Sequence, residues 1–487
     1  MKLGQTSVIV FLSRVIGSGL GFFATLYFAR KLGAEVLGVY ALVLTVVGWL
    51  ILLADVGIGN ALIKRMSEGE QQGAYLTVAT VLTLILAITI SLAVVLGQSV
   101  LETYVAEFDR YAKVSVAWFI ITFIFVKLFY RTTVRILKGE HKVHVAGLLD
   151  PVNVGTTSLI QLGLVLLGLG LSGMLIGSIL GAVIAGLIGL IWVTTRPTQP
   201  SKQHFSSLFD YAKFSWLGNL KSRAFNEVDI LLLGVFVPTS VVGVYSVSWS
   251  LSKFLDLFGT AIRSTLFPEI SHMSTQDSNQ ATARLVEDSL AYTGLIAVPG
   301  FIGGIILGDR LLRLYGQEFV DGVAVLGFLI LAILLFSYQK QLMSGLNGLD
   351  RPDLAFRVNV VFITLNAVLN AILISQYGIE GAAVASVFST GVSLGLAYYL
   401  LSQLINFEMP YAQLLQQWAA ALVMGGVVFL VRNSIETAGL IKNNAIIVIM
   451  LVVLGAITYF VILFIISHQF RATINRNLPF GIQLLAR

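Results

Sequence analysis

The chain of 487 residues contains no cysteine. That absence excludes disulfides, thiolate nucleophiles and cysteine-ligated metals. Charge is also scarce: Asp, Glu, Lys and Arg together make up 11% of the residues. The five histidines, at 141, 144, 204, 272 and 468, form no H-E-x-x-H or comparable zinc pattern. No P-loop pattern occurs either, and no loop is long enough to fold as a separate soluble domain. With little charge and no large polar segment, a soluble enzyme is excluded.

What is present is apolar sequence. Hydrophobic residues make up 57% of the chain, and the mean hydropathy is +0.88. A bilayer core demands about 20 apolar residues per helix, and runs of that length recur from end to end. The runs are continuous and rich in Leu, Val, Ile and Gly, so they do not show the alternation of barrel strands. The fold class is therefore all-α, a polytopic membrane protein, because only helices and closed barrels satisfy their backbones in lipid. The spacing predicts 14 transmembrane helices, the first beginning within "MKLGQTSVIVFLSRVIGSGLG", which is read as a span and not as a removable signal peptide. Lys and Arg are in excess in alternate loops, which with an even number of spans predicts both termini in the cytoplasm; a plasma-membrane location is expected. The net charge of +6 reflects this loop bias and not nucleic-acid binding.

Two short strings recur. "LGVYALV" (37–43) matches "VGVYSVS" (242–248), and "GLSGMLIGS" (170–178) matches "GIEGAAVAS" (378–386). The offsets are 205 and 208, and an even number of spans separates each pair. Two six-helix bundles related by a parallel pseudo-two-fold repeat follow, with a site at their interface. The boundaries predicted are 1–206 for spans 1–6, 207–404 for spans 7–12, and 405–487 for two extra C-terminal helices and a cytoplasmic tail.

The stretch "FSWLGNLKSRAFNEVDILLLG" (214–234) is apolar at both ends and polar between. A charge at membrane depth costs about 2.5–3.5 kcal/mol on insertion scales and persists where a cavity, a partner or a ligand repays it. Asn219, Ser222, Asn226 and Asp229 share one helical face, and Arg223 and Glu227 stand at i and i+4, where an ion pair can form. Other cations at depth are Arg14, Lys127, Arg131 and Lys253. With Lys221 and Arg223 they make six cations that a cavity, a partner or a ligand must repay. Arg135, Arg263 and Lys340 are placed where they can instead snorkel to the inner surface. Asp55, Asn226, Asp229 and Asp256 are candidates for lining a wet site or coupling to Na⁺ or H⁺. Asp256 stands at i+3 from Lys253, where neutralisation is expected. Asp55 is the closest to a lone carboxylate. Trp249 is placed one turn before Lys253, and the Gly-rich run 177–189 predicts close helix contacts.

The opening "SRVIGSGLGFFATLYFARKLGAEVLGVYAL", the stretch "EVDILLLGVFVPTSVVGVYSVSWSL" and "LNAVLNAILISQYGIEGAAVASVFS" (365–389) together resemble oligosaccharide flippases of the polysaccharide-transporter type. These belong to the multidrug/oligosaccharidyl-lipid/polysaccharide exporter superfamily. The resemblance implies a non-enzymatic transporter that moves a lipid-linked oligosaccharide from the cytoplasmic to the outer leaflet by alternating access. It implies no cofactor beyond a coupling ion. The expected partners are the lipid-linked oligosaccharide, membrane lipids and glycosyltransferases of the same pathway, and the protein is expected to be a monomer. The phosphate or diphosphate of such a cargo suits a cationic cavity. A peptidoglycan-precursor flippase and a multidrug exporter of the same superfamily are the alternatives, and a membrane polysaccharide polymerase is the reading from another class.

Overall fold

The computed structural model describes residues 3–256, 279–439 and 441–471. A few helical side chains within these ranges, including those of Arg14 and Lys221, are outside the description. The described residues are helical, with no strand among them. They form two compact units, Met1–Gly243 and Val244–Arg487. Eight helices are long and apolar enough to cross a membrane.

The first unit opens with α1 (Leu3–Asp55), which Gly33 breaks by leaving helical geometry at φ 85° and ψ 173°. Glycine reaches that region without a Cβ penalty. A second break follows at Val56 and Gly57, both with positive φ, and releases the short helix α2 (Ile58–Ser67). Then come α3 (Gln72–Leu96), the short α4 (Gln98–Tyr104) and α5 (Phe108–Tyr111), α6 (Val116–Gly139), α7 (Val143–Leu166) and α8 (Gly170–Leu190). The long α9 (Lys202–Phe236) packs against α1, α2 and α3. By sequence α9 opens the second half of the repeat, yet it lies in the first compact unit. α10 (Thr239–Ser252) carries the chain into the second unit.

The recurrent strings acquire a physical meaning here. A Cβ on Gly38 would overlap the carbonyl oxygen of Thr239, and one on Gly243 would overlap that of Ala34. Ala34 and Gly38 are four apart on α1, as are Thr239 and Gly243 on α10, so two small-residue faces bring the backbones together. In the same unit Tyr40 Oη lies 2.8 Å from Ser178 Oγ, and Gln161 Nε2 donates to both of those oxygens and to the carbonyl of Met174. Tyr40 and Ser178 each belong to one of the repeated strings. The Gly-rich run packs as expected, with Gly177 against Gln161, Gly181 against Thr157 and Gly186 against Phe129.

The linker 191–201 is pinned although it has no regular structure. The Glu140 carboxylate accepts hydrogen bonds from Thr194 N at 3.0 Å, Thr195 N at 2.7 Å and Lys142 Nζ at 2.8 Å. Burial pushes this carboxyl up, but the bonds from Lys142, Thr195 and Thr194 outweigh it and bring the group down to about 2. Thr198 N donates to the Gly73 carbonyl, and a capping box between Ser201 and His204 starts α9.

The second unit contains a 3₁₀ turn at Lys253–Leu255, α11 (Asn279–Arg313), α12 (Val323–Gly348), α13 (Pro352–Ser402), α14 (Tyr411–Ala438) and α15 (Asn444–Ile466). Residues 279–286, a polar stretch of the sequence, are the first turns of α11. Gly378 breaks α13 at φ 56°. Its counterpart in the repeat, Gly170, also has positive φ, at 50°. Glycine thus supplies a positive φ at the first position of both strings. α14 and α15 pack on α11 through an apolar cluster around Val298, Ala421 and Leu451. Charges close one end of this group: Arg432 meets Asp309 at 2.8 Å and Glu436 at 2.7 Å, and Arg310 meets Glu436 at 2.8 Å.

Candidate functional site

Neither α6 nor α9 is among the eight helices long and apolar enough, with little enough charge, to cross a membrane. Both carry ionisable residues at mid-length, and in the first unit these residues converge. The break after Asp55 frees the first N–H groups of α2, and the Asp55 carboxylate answers one of them, accepting from Gly59 N at 3.2 Å. A carboxylate at a helix N-terminus also suits the helix dipole. The same carboxylate receives both prongs of the Arg135 guanidinium, Nη1 to Oδ1 and Nη2 to Oδ2, each at 2.8 Å. Gly59 makes this possible, because a Cβ there would overlap the guanidinium. Asp55 is 2% exposed.

A second pair lies on α9. Arg223 Nη1 donates to Glu227 Oε1 across one helical turn. Both side chains lie over Gly48 of α1, where a Cβ would overlap them. Arg131 on α6 feels both pairs, with Arg135 and Arg223 as like charges and Asp55 and Glu227 as opposite ones. One turn earlier, Lys127 Nζ stands 5.2 Å from the Phe123 ring centre and 5.8 Å from that of Tyr130. Tyr130 Oη donates to Asp150 Oδ1 at 2.6 Å. The first unit therefore gathers four described cations and two paired acids from α1, α6 and α9.

Three sequence expectations are corrected. Asp55 is not a lone carboxylate, since Arg135 neutralises it in a two-pronged pair. Arg135 accordingly does not snorkel. Asp256 is held by Lys340 of α12, whose Nζ lies 2.7 Å from both carboxylate oxygens. The residue three places earlier, Lys253, sits over the Trp249 ring at 5.2 Å. Sequence proximity favoured Lys253 as the partner, but helix packing brought in a cation from 84 residues away.

The remaining candidates fall as follows. Asp229 is buried at 4% exposure, Asn226 is half-buried, and both are engaged by neighbours. Arg14 and Lys221 lie outside the described side chains, and Arg263 lies outside the described residues. Among the described residues no group of three His, Asp or Glu could hold a metal. Gly48 and Gly59 were not singled out by sequence. A glycine in an apolar helix has no chemical signature, and its role as a berth for a guanidinium exists only once the helices pack.

An all-helical, multi-pass membrane protein with charges gathered inside its first unit is a transporter in class. The comparisons with known proteins agree with it. The family model described as "Polysaccharide biosynthesis protein" matches residues 27–324, and the chain belongs to that family. It is 32% identical to "Probable flippase AglR" of Haloferax volcanii over 98% of both chains. It is 30% identical to "Probable low-salt glycan biosynthesis flippase Agl15" of the same organism, over 91% of this chain and 92% of that one. Among solved structures, the lipid II flippase MurJ in an inward closed conformation superposes with a TM-score of 0.76 at 15% identity, covering 96% of this chain and 100% of that one. A multidrug resistance MATE family transporter in an inward-facing conformation superposes at 0.64, covering 81% of this chain and 97% of that one. At such identity these two show the fold alone.

Proposed function

We propose that the protein is a flippase of glycan biosynthesis that carries a polyisoprenyl phosphate- or diphosphate-linked oligosaccharide from the cytoplasmic to the outer leaflet by alternating access. The near full-length match to two relatives named as flippases supports the reading at the level of family. The observation that carries the substrate class is the charge count at depth in the first unit. Among the described residues of the first unit, Arg135 and Arg223 are ion-paired with Asp55 and Glu227, while Lys127 and Arg131 stand on α6 without an ion pair. An excess of buried cations is costly in a membrane unless an anion offsets it. A phosphate group on the cargo is such an anion.

The full proposal keeps 14 spans, counting α1 and α13 as two each at their glycine breaks, with both termini cytoplasmic. Asp229, buried on α9, is proposed as the coupling carboxylate for Na⁺ or H⁺, since Asp55 is already neutralised. The glycan reading is preferred to that of a peptidoglycan-precursor flippase. The match to a "Probable lipid II flippase MurJ" of Vibrio cholerae reaches 26% identity over only 34% of this chain.

The test is complementation. A strain lacking its own glycan flippase should recover surface glycan when this chain is expressed, and lipid-linked oligosaccharide should stop accumulating on the cytoplasmic side. Unchanged accumulation at normal protein abundance refutes the reading.

A further inference from the structure

Three histidines lie among the described residues of the first unit, His141, His144 and His204. Histidine is the side chain that ordinarily changes charge between pH 5 and 8. His141 and His144 are exposed, and His141 Nε2 stands 3.2 Å from the Ser67 carbonyl, a bond that a protonated ring still makes. His204 differs. It is 7% exposed, and it occupies the third position of α9, behind the N-cap Ser201.

Its neighbours fix the ring in one state. Ser201 N donates to Nδ1 at 3.0 Å, and Ser201 Oγ lies 2.7 Å from the same nitrogen. A backbone N–H is only a donor, so Nδ1 holds a lone pair and the ring is neutral. Its proton is therefore on Nε2, which donates to Gln71 Oε1 in the turn between α2 and α3. The Tyr75 ring of α3 makes a T-shaped contact with the imidazole, 4.8 Å between centres. One nitrogen thus closes the cap that starts α9, and the other docks that cap on the α2–α3 turn. The linker adds two bonds beside it, Thr198 N to the Gly73 carbonyl and Thr77 Oγ1 to the Thr198 carbonyl.

A second proton on the ring breaks this arrangement. It would sit on Nδ1 and face the Ser201 N–H, and two donors cannot share a hydrogen bond. It would also place a positive charge at the N-terminal end of a 35-residue helix, where the dipole favours negative charge. A capping box ordinarily carries Glu or Gln at this position, and neither loses its acceptor between pH 5 and 8. The surrounding acids are engaged or exposed. On α2 and the turn after it, Lys64 lies over the Tyr211 ring, Arg65 is paired with Glu68, and Glu70 is exposed. On α9, Lys202 is a further cation, and Asp210 is paired with Lys213. The linker contributes Arg196, and beyond α6 Glu140 is taken by Lys142, Thr194 and Thr195. Among the described residues none of these acids makes an ion pair with the imidazole.

We propose that His204 is a proton-operated latch. Neutral, it holds the first turn of α9 and the adjoining linker to the α2–α3 turn. Protonated, it lets both go. Because α9 also carries the Arg223–Glu227 pair, the latch ties the polar helix of the candidate site to the pH of the aqueous face where the linker lies. The linker's other anchor does not share this response, since the Glu140 carboxyl is held down at about 2 and stays charged throughout the range.

The test is hydrogen–deuterium exchange of the full-length protein in neutral detergent at pH 8.0, 7.0, 6.0 and 5.5, each amide compared with its intrinsic rate at the same pH. Protection across residues 198–206 should fall at least about tenfold from pH 8.0 to 5.5, since one pH unit below the ordinary histidine midpoint leaves about a tenth of the ring neutral. Protection of Thr194 and Thr195, held by Glu140, should stay within twofold. His204→Gln keeps an acceptor and a donor without a titrating ring, and its protection should be constant across the range. Gln71→Glu, at an exposed position, gives Nε2 an anionic partner that favours the charged ring, and should move the loss to higher pH. Should His204→Gln be unprotected at every pH, Gln71→Glu decides alone. The proposal is overturned if wild-type protection is constant within twofold, if His204→Gln loses it with pH as wild type does, or if Gln71→Glu leaves the loss where it was. Loss of protection throughout the chain at the same pH also overturns it, by making general acid unfolding the cause. None of these results depends on transport, so a failure of the flippase reading is seen separately.

Discussion

Arg135 and Asp55, 80 residues apart in the chain, face each other in a two-pronged ion pair with both N–O distances at 2.8 Å. The pair sits where α1 ends and α2 begins, so one carboxylate both neutralises Arg135 and accepts from the first turn of α2. Removing one partner strands a buried charge, which costs about 3–5 kcal/mol in such settings. Asp55→Asn and Arg135→Gln should each lower the melting temperature of the purified protein markedly. The double variant should recover much of the loss. Independent, additive losses would show that the two side chains do not act as a pair.

Arg223 and Glu227 make a second pair, and its meaning differs. Glu227→Ala should lower protein abundance, because Arg223 is left beside Gly48 without its counter-charge. The double variant Arg223→Ala/Glu227→Ala should restore abundance while export of lipid-linked glycan stays low. Export and abundance measured in the same cells decide the matter. Parallel recovery of both in the double variant would make the pair a packing device alone.

Close backbone contact sets a third expectation. Gly38→Ala forces a methyl group into the Thr239 carbonyl, where backbone and not a mobile side chain must yield. Overpacking of this kind costs about 1–3 kcal/mol. Gly19 on the same helix has open space around it, and Gly19→Ala should be neutral or slightly stabilising, since alanine is the better helix former. Melting temperatures of the two variants should therefore move apart. Equal behaviour would mean that α1 and α10 are not in backbone contact.

The Glu140 clamp on the 191–201 linker makes stability depend on pH. Its carboxyl is depressed in the folded state, from an ordinary 4.5 to about 2, by the hydrogen bonds from Lys142, Thr195 and Thr194, which outweigh burial. A depressed acid stabilises the fold fully above its unfolded value and loses that contribution as pH falls through the folded one. Stability from this group should thus be complete above about pH 4.5 and gone near pH 2. Glu140→Gln should lower the melting temperature at pH 7, and the gap to wild type should close as the pH falls toward 2. A gap that stays constant with pH would exclude the carboxylate as its cause.

Much of this protein was legible in residue order alone. Apolar runs of bilayer length dictate helices, because lipid offers the backbone no other partner. The Arg223–Glu227 pair was legible too, since i and i+4 are neighbours on any helix. The two recurrent strings were legible as well, and they hold the glycines of a backbone contact, Gly38 and Gly243, and two glycines of positive φ, Gly170 and Gly378. Tertiary structure decided which charges are spent. Asp55 found Arg135 from 80 positions away, and Asp256 found Lys340 from 84. Sequence spacing carries no information about such partners, because they are set by which helix faces pack and by where a glycine leaves room for a guanidinium. Among the described residues of the first unit, Lys127 and Arg131 are left without an ion pair once Asp55 and Glu227 are taken, a distinction that no count of Lys and Arg along the chain contains.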